Sequence, residues 1–299
     1  MPSALTPSPM TTDVLIVGAG VAGLWLNARL RRQGFSTVLV ESASLGGGQS
    51  TKSQGIIHGG AKYALHGALS GASEAIADMP RRWRDALAGK GELDLSGVRL
   101  LSEAHYLWSP GTLAGNLTSF FASKAVRGRV DHVTSNDLPP ALQSPGFKGK
   151  VYRLAELVID VPSLVERLAE LSGDSLLAGT KIEPLFEGED LIGLRVDGRE
   201  ILAQRVVLSA GAGNAELLKS MGLSHPPMQR RPLHMVLVKG PTLKPLYAHC
   251  LGGGPKPRVT VTTHPAADGQ WVWYLGGDLA EAEGVAREPE AQIAAAKKE

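Results

Sequence analysis

The sequence predicts an α/β fold, with one domain built on a parallel sheet and a smaller domain built on an antiparallel sheet. The first observation is a continuous apolar run over residues 14–17, as expected of a strand that is buried on both faces. A helical pattern over residues 21–32 and a second apolar run over residues 37–40 follow directly. A strand, a helix and a strand in such close succession form a βαβ unit, and such units build parallel sheets.

Several predicted strands further along the chain have no helix between them. Strands are predicted at residues 182–186, 191–196 and 201–208, and Asp197-Gly198 is a typical hairpin turn between the last two. Strands without intervening helices pair with antiparallel neighbours, so this part of the chain departs from the βαβ pattern. Further strands are predicted at residues 233–238, 259–263 and 271–275, and helices near residues 70–87, 113–126, 161–171 and 288–299.

The domain boundaries follow from these patterns. The first twelve residues contain three prolines and no periodic pattern, which is typical of a loose tail. We predict a disordered tail at residues 1–12, a first domain at residues 13–92 and 150–224, a second domain at residues 93–149 and 225–285, and a C-terminal helix at residues 286–299.

Composition and charge narrow the class of protein. The 299 residues include 31 Lys and Arg against 29 Asp and Glu, and this near balance argues against a nucleic acid partner. The single cysteine, Cys250, is typical of a reducing compartment, so we expect a cytoplasmic protein. The longest apolar run, residues 14–26, is shorter than the about 20 residues of a membrane-spanning helix. At most, a peripheral membrane contact stays open.

A G-x-G-x-x-G motif follows the first predicted strand and opens the first helix. Gly18 allows the tight turn, Gly20 lets the backbone approach a pyrophosphate, and Gly23 lets the helix pack closely on the strand. Glu41 ends the second strand, where a carboxylate can accept hydrogen bonds from ribose hydroxyls and disfavours a 2′-phosphate. The spacing predicts a dinucleotide site formed by Gly18, Ala19, Gly20, Val21, Ala22, Gly23 and Glu41.

A glycine-rich polar segment over residues 46–60 allows a second interpretation. Lys52-Ser53 imitates the end of a nucleotide-binding P-loop, but Thr51 stands where the second glycine of that motif belongs. A complete dinucleotide motif already lies upstream, so we do not favour a P-loop. The residues alone leave NAD and FAD open as the dinucleotide. The histidines show no metal-ligand spacing, and no metal is predicted.

The sequence resembles the FAD-dependent oxidoreductases related to D-amino-acid oxidase, and in particular FAD-linked glycerol-3-phosphate and L-2-hydroxyglutarate dehydrogenases. The resemblance is carried by residues 14–41, 53–63, 159–164 and 206–213. It implies a Rossmann-like FAD-binding domain, a substrate domain and FAD as the cofactor. The family normally returns to the FAD domain after its substrate-domain sheet. Because only residues 279–299 follow Asp278, we expect the closing C-terminal segment to be missing.

The same resemblance implies which residues contact the cofactor. The polar segment would wrap the pyrophosphate and the ribityl chain. Ile182 would contact the adenine through its backbone, and Gly211 and Gly213 would form a late glycine turn that passes close to the dinucleotide. The contacts implied for the polar segment are Thr51, Lys52, Ser53, Gln54, Gly55 and Ile57.

The resemblance also implies catalytic and substrate-binding residues. His58 stands where this family often has a histidine against the isoalloxazine ring. It would take or hold the substrate's hydroxyl proton during hydride transfer to flavin N5, or it would only position the flavin. Lys62 and Arg231 are candidate anchors for an anionic substrate, and Arg231 would begin the substrate-domain sheet.

Together these features predict an FAD-dependent oxidoreductase that acts on the CH–OH group of a small hydroxy acid or polyol phosphate. Its electrons would leave to a quinone, to oxygen or to a carrier protein. Three alternatives stay open at this point. The protein could oxidise amino acids or amines, it could be an NAD-dependent dehydrogenase, or it could bind a dinucleotide without turnover.

Overall fold

A computed structural model describes residues 8–60, 75–110, 130–252 and 256–299. The predicted helix at residues 113–126, the first part of the predicted helix at 70–87, and Lys62 lie outside these residues. The chain divides into two compact units. The first comprises Met1–Ser53, Ala86–Val98 and Val161–Arg230, and the second comprises Gln54–Asp85, Arg99–Asp160 and Arg231–Glu299.

The elements are numbered in chain order over the described residues. The strands are β1 Met10–Val17, β2 Thr37–Glu41, β3 Ile56–Ile57, β4 Leu100–Ser102, β5 His105–Pro110, β6 Val130–Val133, β7 Gly149–Leu154, β8 Leu157–Ile159, β9 Leu176–Ala178, β10 Ile182–Glu187, β11 Asp190–Val196, β12 Arg199–Leu208, β13 Val236–Gly240, β14 Ala248–Leu251, β15 Pro257–Pro265 and β16 Trp271–Gly276. The helices are α1 Val21–Arg32, α2 Met79–Leu87, α3 Val161–Ser172, α4 Asn214–Ser220, α5 Ala282–Ala286 and α6 Pro289–Lys298.

The first unit contains a six-stranded sheet in the order β10-β11-β12-β1-β2-β9. Strand β1 pairs in parallel with both β12 and β2, and β2 pairs in parallel with β9. The hairpins β10–β11 and β11–β12 are antiparallel. Leu15, Val17, Val40, Leu194 and Ile201 are buried together in the core of this unit, as expected of strands covered on both faces.

Strand β1 begins earlier than the sequence predicts. Residues 10–12 were expected in a disordered tail, but they form the start of the strand. Met10 pairs with Ile201 and Thr12 pairs with Ala203, because β12 is ten residues long and offers backbone partners beyond the apolar run of β1. The hydrogen-bonding ladder, which the apolar pattern does not report, therefore sets the beginning of β1.

The second unit contains a seven-stranded sheet in the order β13-β16-β15-β14-β5-β7-β6. All its neighbouring strands are antiparallel except β14 and β5, which run parallel. A three-stranded antiparallel sheet in the order β3-β8-β4 belongs to the same unit. Val151, Ala248, Cys250, Val261 and Leu275 form part of its core.

Two expectations for the second unit differ from the structure. Arg231 does not begin the sheet: the first strand of this region starts at Val236, since Pro232 has no N–H for a ladder and residues 231–235 follow no regular pattern. Residues 54–60 and 75–85 were expected in the domain of the parallel sheet, whereas they group with the second unit, where β3 pairs with β8.

Candidate functional site

The turn between β1 and α1 accepts only glycine at two of its three motif positions. Gly18 has a φ of +102°, and a Cβ on it would lie 2.5 Å from the Cα of Ala210. A Cβ on Gly23 would lie 2.0 Å from the carbonyl oxygen of Gly18. A Cβ on Gly20, by contrast, would approach nothing closer than the Ser50 Oγ at 3.2 Å. Gly18 and Gly23 are therefore required by packing, while a Cβ on Gly20 would make one close contact, with the Ser50 hydroxyl.

The segment after β2 is fixed against the N-terminus of α1. The Gly46 N–H donates to the Ala19 carbonyl at 2.9 Å, and the Val21 N–H donates to the Ser50 Oγ at 3.0 Å. Glu41 holds the same corner, because its Oε2 accepts the Ala19 N–H at 2.7 Å. The loop, the helix start and the acidic strand end thus form one connected frame.

The late glycine turn packs against this frame. The Ser209 N–H donates to the Val17 carbonyl at 2.8 Å, and the Ser209 Oγ donates to the Gly18 carbonyl at 2.8 Å. Gly211 has a φ of +56°, and a Cβ on it would meet nothing within 4 Å. Gly18 and Gly211, both predicted from the sequence, therefore lie in two turns that pack against each other. A Cβ on Gly211 would enter open space.

Ile182 lies near the acidic strand end through the connection between β9 and β10. It is the first residue of β10, and the Gly179 N–H in this connection donates to the Glu41 backbone carbonyl at 3.0 Å. Asp197 holds the connection by accepting the Lys181 N–H at 2.8 Å. The connection that precedes Ile182 therefore contacts the strand end at Glu41, and the adenine contact of Ile182 stays a prediction.

This frame fits a dinucleotide on physical grounds. Helix α1 is 12 residues long and has no acidic residue in its first turn, so its N-terminus presents the positive end of the helix dipole. The turn at Gly20 is the predicted position of the diphosphate, and Glu41 supplies a carboxylate at the predicted ribose position.

The second group of functional side chains lies in the second unit, where β3 pairs with β8. Because Ile57 pairs with Leu157 in an antiparallel register, His58 and Glu156 face each other at the next position along the two segments. His58 Nδ1 lies 3.0 Å from Glu156 Oε2, and the Gly59 N–H donates to Glu156 Oε1 at 2.8 Å. Glu156 is 1% exposed, whereas the His58 side chain is 25% exposed. The carboxylate therefore holds an imidazole that solvent or a substrate can reach.

Two further histidines extend this group. The ring of His249 stacks on that of His58 with 5.9 Å between centroids, and the ring of His105 lies 4.2 Å from that of His249. His249 Nδ1 lies 2.8 Å from the Thr260 Oγ1 across the β14–β15 pair. Both His105 and His249 are buried. Local sequence patterns do not indicate Glu156, His105 or His249, because only the pairing of strands brings these residues together.

The polar segment is divided between the two units. Thr51, Lys52 and Ser53 belong to the first unit, and Gln54, Gly55 and Ile57 to the second. The Gln54 side chain is bound within its own unit, since its Nε2 donates to the Tyr274 carbonyl at 2.9 Å and lies 3.3 Å from both the Thr260 carbonyl and the Thr262 Oγ1. Gln54 thus anchors its segment to the large sheet, which the sequence did not indicate.

The predicted anchors for an anionic substrate are Arg231 and Lys62. Arg231 is exposed and precedes β13, and Lys62 lies outside the described residues. Their roles stay predictions.

Burial changes the titration of several groups in the second unit. It lowers the pKa of His264 to about 4, although the Asp160 carboxylate acts in the opposite direction. Burial raises the pKa of Tyr247 to about 12 and also raises the pKa of the Cys250 thiol. His264 is thus neutral at pH 7, as expected of a buried histidine in the sheet.

Comparison with known proteins identifies the family. The family model described as FAD dependent oxidoreductase (DAO) matches residues 13–297. The protein described as probable FAD-dependent oxidoreductase PA4991, from Pseudomonas aeruginosa, is 76% identical over 293 residues, which cover 98% of this chain and 75% of that protein. Its crystal structure superimposes with a TM-score of 0.86 and 67% identity over the structurally aligned residues, covering 98% of this chain and 73% of that chain.

More distant structures share the fold. Glycine oxidase from Geobacillus kaustophilus has a TM-score of 0.64 and 19% identity, covering 90% of this chain and 72% of that chain. L-amino acid deaminase from Proteus vulgaris has a TM-score of 0.66 and 16% identity, covering 97% of this chain and 73% of that chain. Among the helices in the described ranges, none combines the length and the apolar character needed to cross a bilayer. With its glycine frame and this family match, the chain belongs to the D-amino-acid oxidase family of FAD-dependent oxidoreductases, and its cofactor is FAD.

Proposed function

We propose that the protein oxidises the CH–OH group of a small hydroxy acid or polyol phosphate. The observation that carries this proposal is the pair formed by His58 Nδ1 and the buried Glu156 carboxylate, 3.0 Å apart. FAD, when bound, supplies a two-electron acceptor for the hydride of the donor carbon. The electrons then pass to a quinone, to oxygen or to a carrier protein.

The cofactor would be held by the frame of the first unit. The N-terminus of α1 and the turn at Gly20 would receive the diphosphate, and Glu41 would accept the ribose hydroxyls. Further contacts would come from the rest of the motif, the polar segment and the late turn, namely Gly18, Ala19, Val21, Ala22, Gly23, Thr51, Lys52, Ser53, Gln54, Gly55, Ile57, Ile182, Gly211 and Gly213.

His58 would act as the general base of this reaction. Glu156 accepts a hydrogen bond from the Nδ1–H, which fixes the ring and its tautomer, so Nε2 is the nitrogen that takes a proton. When the alcohol is oxidised, the C–H bond gives a hydride, the O–H bond gives a proton to His58 Nε2, and a C=O bond forms. Lys62 and Arg231 would attract the acid or phosphate group of the substrate.

Oxidation of a CH–NH donor is the second candidate. It is supported by two structural relatives whose names are glycine oxidase and L-amino acid deaminase. A neutral amine has a nitrogen lone pair that assists hydride loss, so this reaction needs no base for an O–H proton. The two candidates therefore differ in how strongly they depend on His58.

Anaerobic reduction of the bound flavin by a panel of hydroxy acids, polyol phosphates and amino acids tests the proposal. We expect a hydroxy acid or a polyol phosphate to bleach the flavin absorption. In His58→Ala the rate should fall by at least about 100-fold, as for loss of a general base. Added imidazole should restore part of that rate, which a purely positioning role would not allow.

The exposed histidine variant His132→Ala is the matched control and should behave like the wild type. Reduction by amino acids alone, with little effect of His58→Ala, would favour the amine candidate and contradict the proposed donor.

A further inference from the structure

We infer that His58, Glu156 and His249 form a binding site for a divalent transition metal of the zinc type. The donor atoms of these three side chains lie within 4.8 Å of one another. Two imidazole nitrogens and one carboxylate oxygen are a donor set that zinc prefers, and three protein ligands leave a fourth position for water.

The geometry assigns one donor atom to each residue. His58 Nδ1 and Glu156 Oε2 are already 3.0 Å apart, close to the about 3.4 Å that separates two ligands of tetrahedral zinc with bonds of about 2.1 Å. Because His249 uses Nδ1 to contact the Thr260 Oγ1, we assign Nε2 as its ligand atom.

The surroundings of the donors are those of a supported metal site. Thr260 orients His249, and the Gly59 N–H occupies Glu156 Oε1, which leaves Oε2 as the single carboxylate ligand. Such hydrogen bonds to the ligands fix their orientation and raise metal affinity. Glu156 and His249 are each 1% exposed, so a cation there would be shielded from competing water.

Charge and access also favour a cation. A buried carboxylate is costly unless a positive group neutralises it. The side-chain partner of Glu156 is His58, which carries a positive charge only when it is protonated, so a bound cation would stabilise the carboxylate. The His58 side chain is 25% exposed and gives the ion a path into the cluster. Zinc would replace the proton that His58 Nδ1 shares with Glu156, and that proton would be released to solvent.

Equilibrium dialysis of the FAD-loaded protein against Zn²⁺, followed by elemental analysis, tests this site. We expect one zinc per chain in the wild type and in the surface variant His132→Gln. We expect the loss of this zinc in His249→Gln and in Glu156→Gln, with FAD content unchanged. A wild type that binds no zinc, or zinc retained in both ligand variants, would overturn the inference.

Thr260→Val provides a test that spares the ligands. It removes the hydroxyl that contacts His249 and keeps the shape of the side chain, so it should weaken zinc binding about 10- to 100-fold. Should His249→Gln not fold, unchanged zinc affinity in Thr260→Val would still contradict the site.

The metal site and the proposed reaction are tested separately. Zinc uptake is measured without turnover and does not depend on the donor oxidised. If His58 is the base of the proposed reaction, Zn²⁺ should slow flavin reduction, because zinc on Nδ1 would withdraw electron density from His58 Nε2. This expectation rests on the proposed function. Zinc binding without such inhibition would support the metal site and would contradict the role of His58 as the base.

Discussion

His58 Nδ1 and Glu156 Oε2 lie 3.0 Å apart because the antiparallel register of β3 and β8 places the two residues opposite each other. The carboxylate is 1% exposed, and its second oxygen accepts the Gly59 N–H at 2.8 Å. A carboxylate held in this way fixes the orientation of the imidazole to which it is hydrogen-bonded.

The first prediction concerns Glu156 as a positioning residue. Glu156→Gln keeps the size of the side chain but presents an amide to His58, which permits the wrong tautomer. We expect the rate constant of flavin reduction to fall about 10- to 100-fold, while the substrate dissociation constant changes little. Stopped-flow absorbance over a range of substrate concentrations separates the two quantities.

Glu103→Gln, which replaces an exposed acid of the same unit, is the matched control. A Glu156→Gln enzyme that binds substrate weakly but reacts at the normal rate would argue that Glu156 shapes the substrate site instead.

The second prediction separates two glycines of the same turn. Gly18→Ala would force a Cβ to 2.5 Å from the Ala210 backbone at a φ of +102°, so we expect the free energy of unfolding to fall by about 2 kcal/mol or more. Gly20 has a φ of −73°, and a Cβ on it would meet only the Ser50 Oγ, at 3.2 Å, a side-chain atom that can shift, so Gly20→Ala should lower the stability of the apoprotein by no more than about 1 kcal/mol.

Gly20→Ala should instead lower FAD affinity at least about 10-fold, the equivalent of about 1.4 kcal/mol, because the added methyl group would crowd the turn where we propose that the diphosphate binds. Urea unfolding of the apoprotein and fluorescence titration with FAD give the two quantities. Unchanged FAD affinity in Gly20→Ala would place the diphosphate elsewhere.

The third prediction concerns Glu41. Its carboxylate accepts the N–H groups of Ala19 and Ala43, at 2.7 and 2.9 Å, and would also accept the ribose hydroxyls. Glu41→Ala should therefore weaken FAD binding by about 1.5–3 kcal/mol, the range for hydrogen bonds to charged groups. Titration of the apoprotein with FAD measures this loss, and Glu187→Ala, at an exposed strand end, is the control. Equal affinity in the two variants would refute the ribose role.

Local sequence patterns predicted the first unit better than the second. Helix α1 is confirmed at Val21–Arg32, and β2 is confirmed from Thr37, because an apolar run and a 3.6-residue period report burial along a continuous stretch. The Asp197-Gly198 turn is also confirmed, with both residues at positive φ, as this hairpin type requires.

The histidine and carboxylate group of the second unit could not be predicted in the same way. His58 and Glu156 are far apart in sequence, and β3 and β8 are only two and three residues long, too short for an alternating pattern. The stacking of His249 on His58 depends on packing between sheets of this unit, which no local pattern records. The part of the site that local patterns could not predict is therefore the part that depends on pairing between strands far apart in sequence.

The last prediction concerns His264 and the pH dependence of stability. Burial lowers its pKa to about 4 in the folded chain, whereas an unfolded histidine titrates near 6.5. Between these values the unfolded chain binds the extra proton, so stability is complete above about pH 6.5 and falls as the pH decreases towards 4. At pH 5 the loss of stability from this residue should be about 2 kcal/mol.

His264→Gln keeps a group that can contact the Thr262 Oγ1, which lies 3.0 Å from His264 Nε2, and should flatten this slope. Urea unfolding at pH 7 and pH 5 measures it, with His132→Gln as the exposed control. If His264→Gln lost as much stability at pH 5 as the wild type, the pH dependence would have to come from other groups.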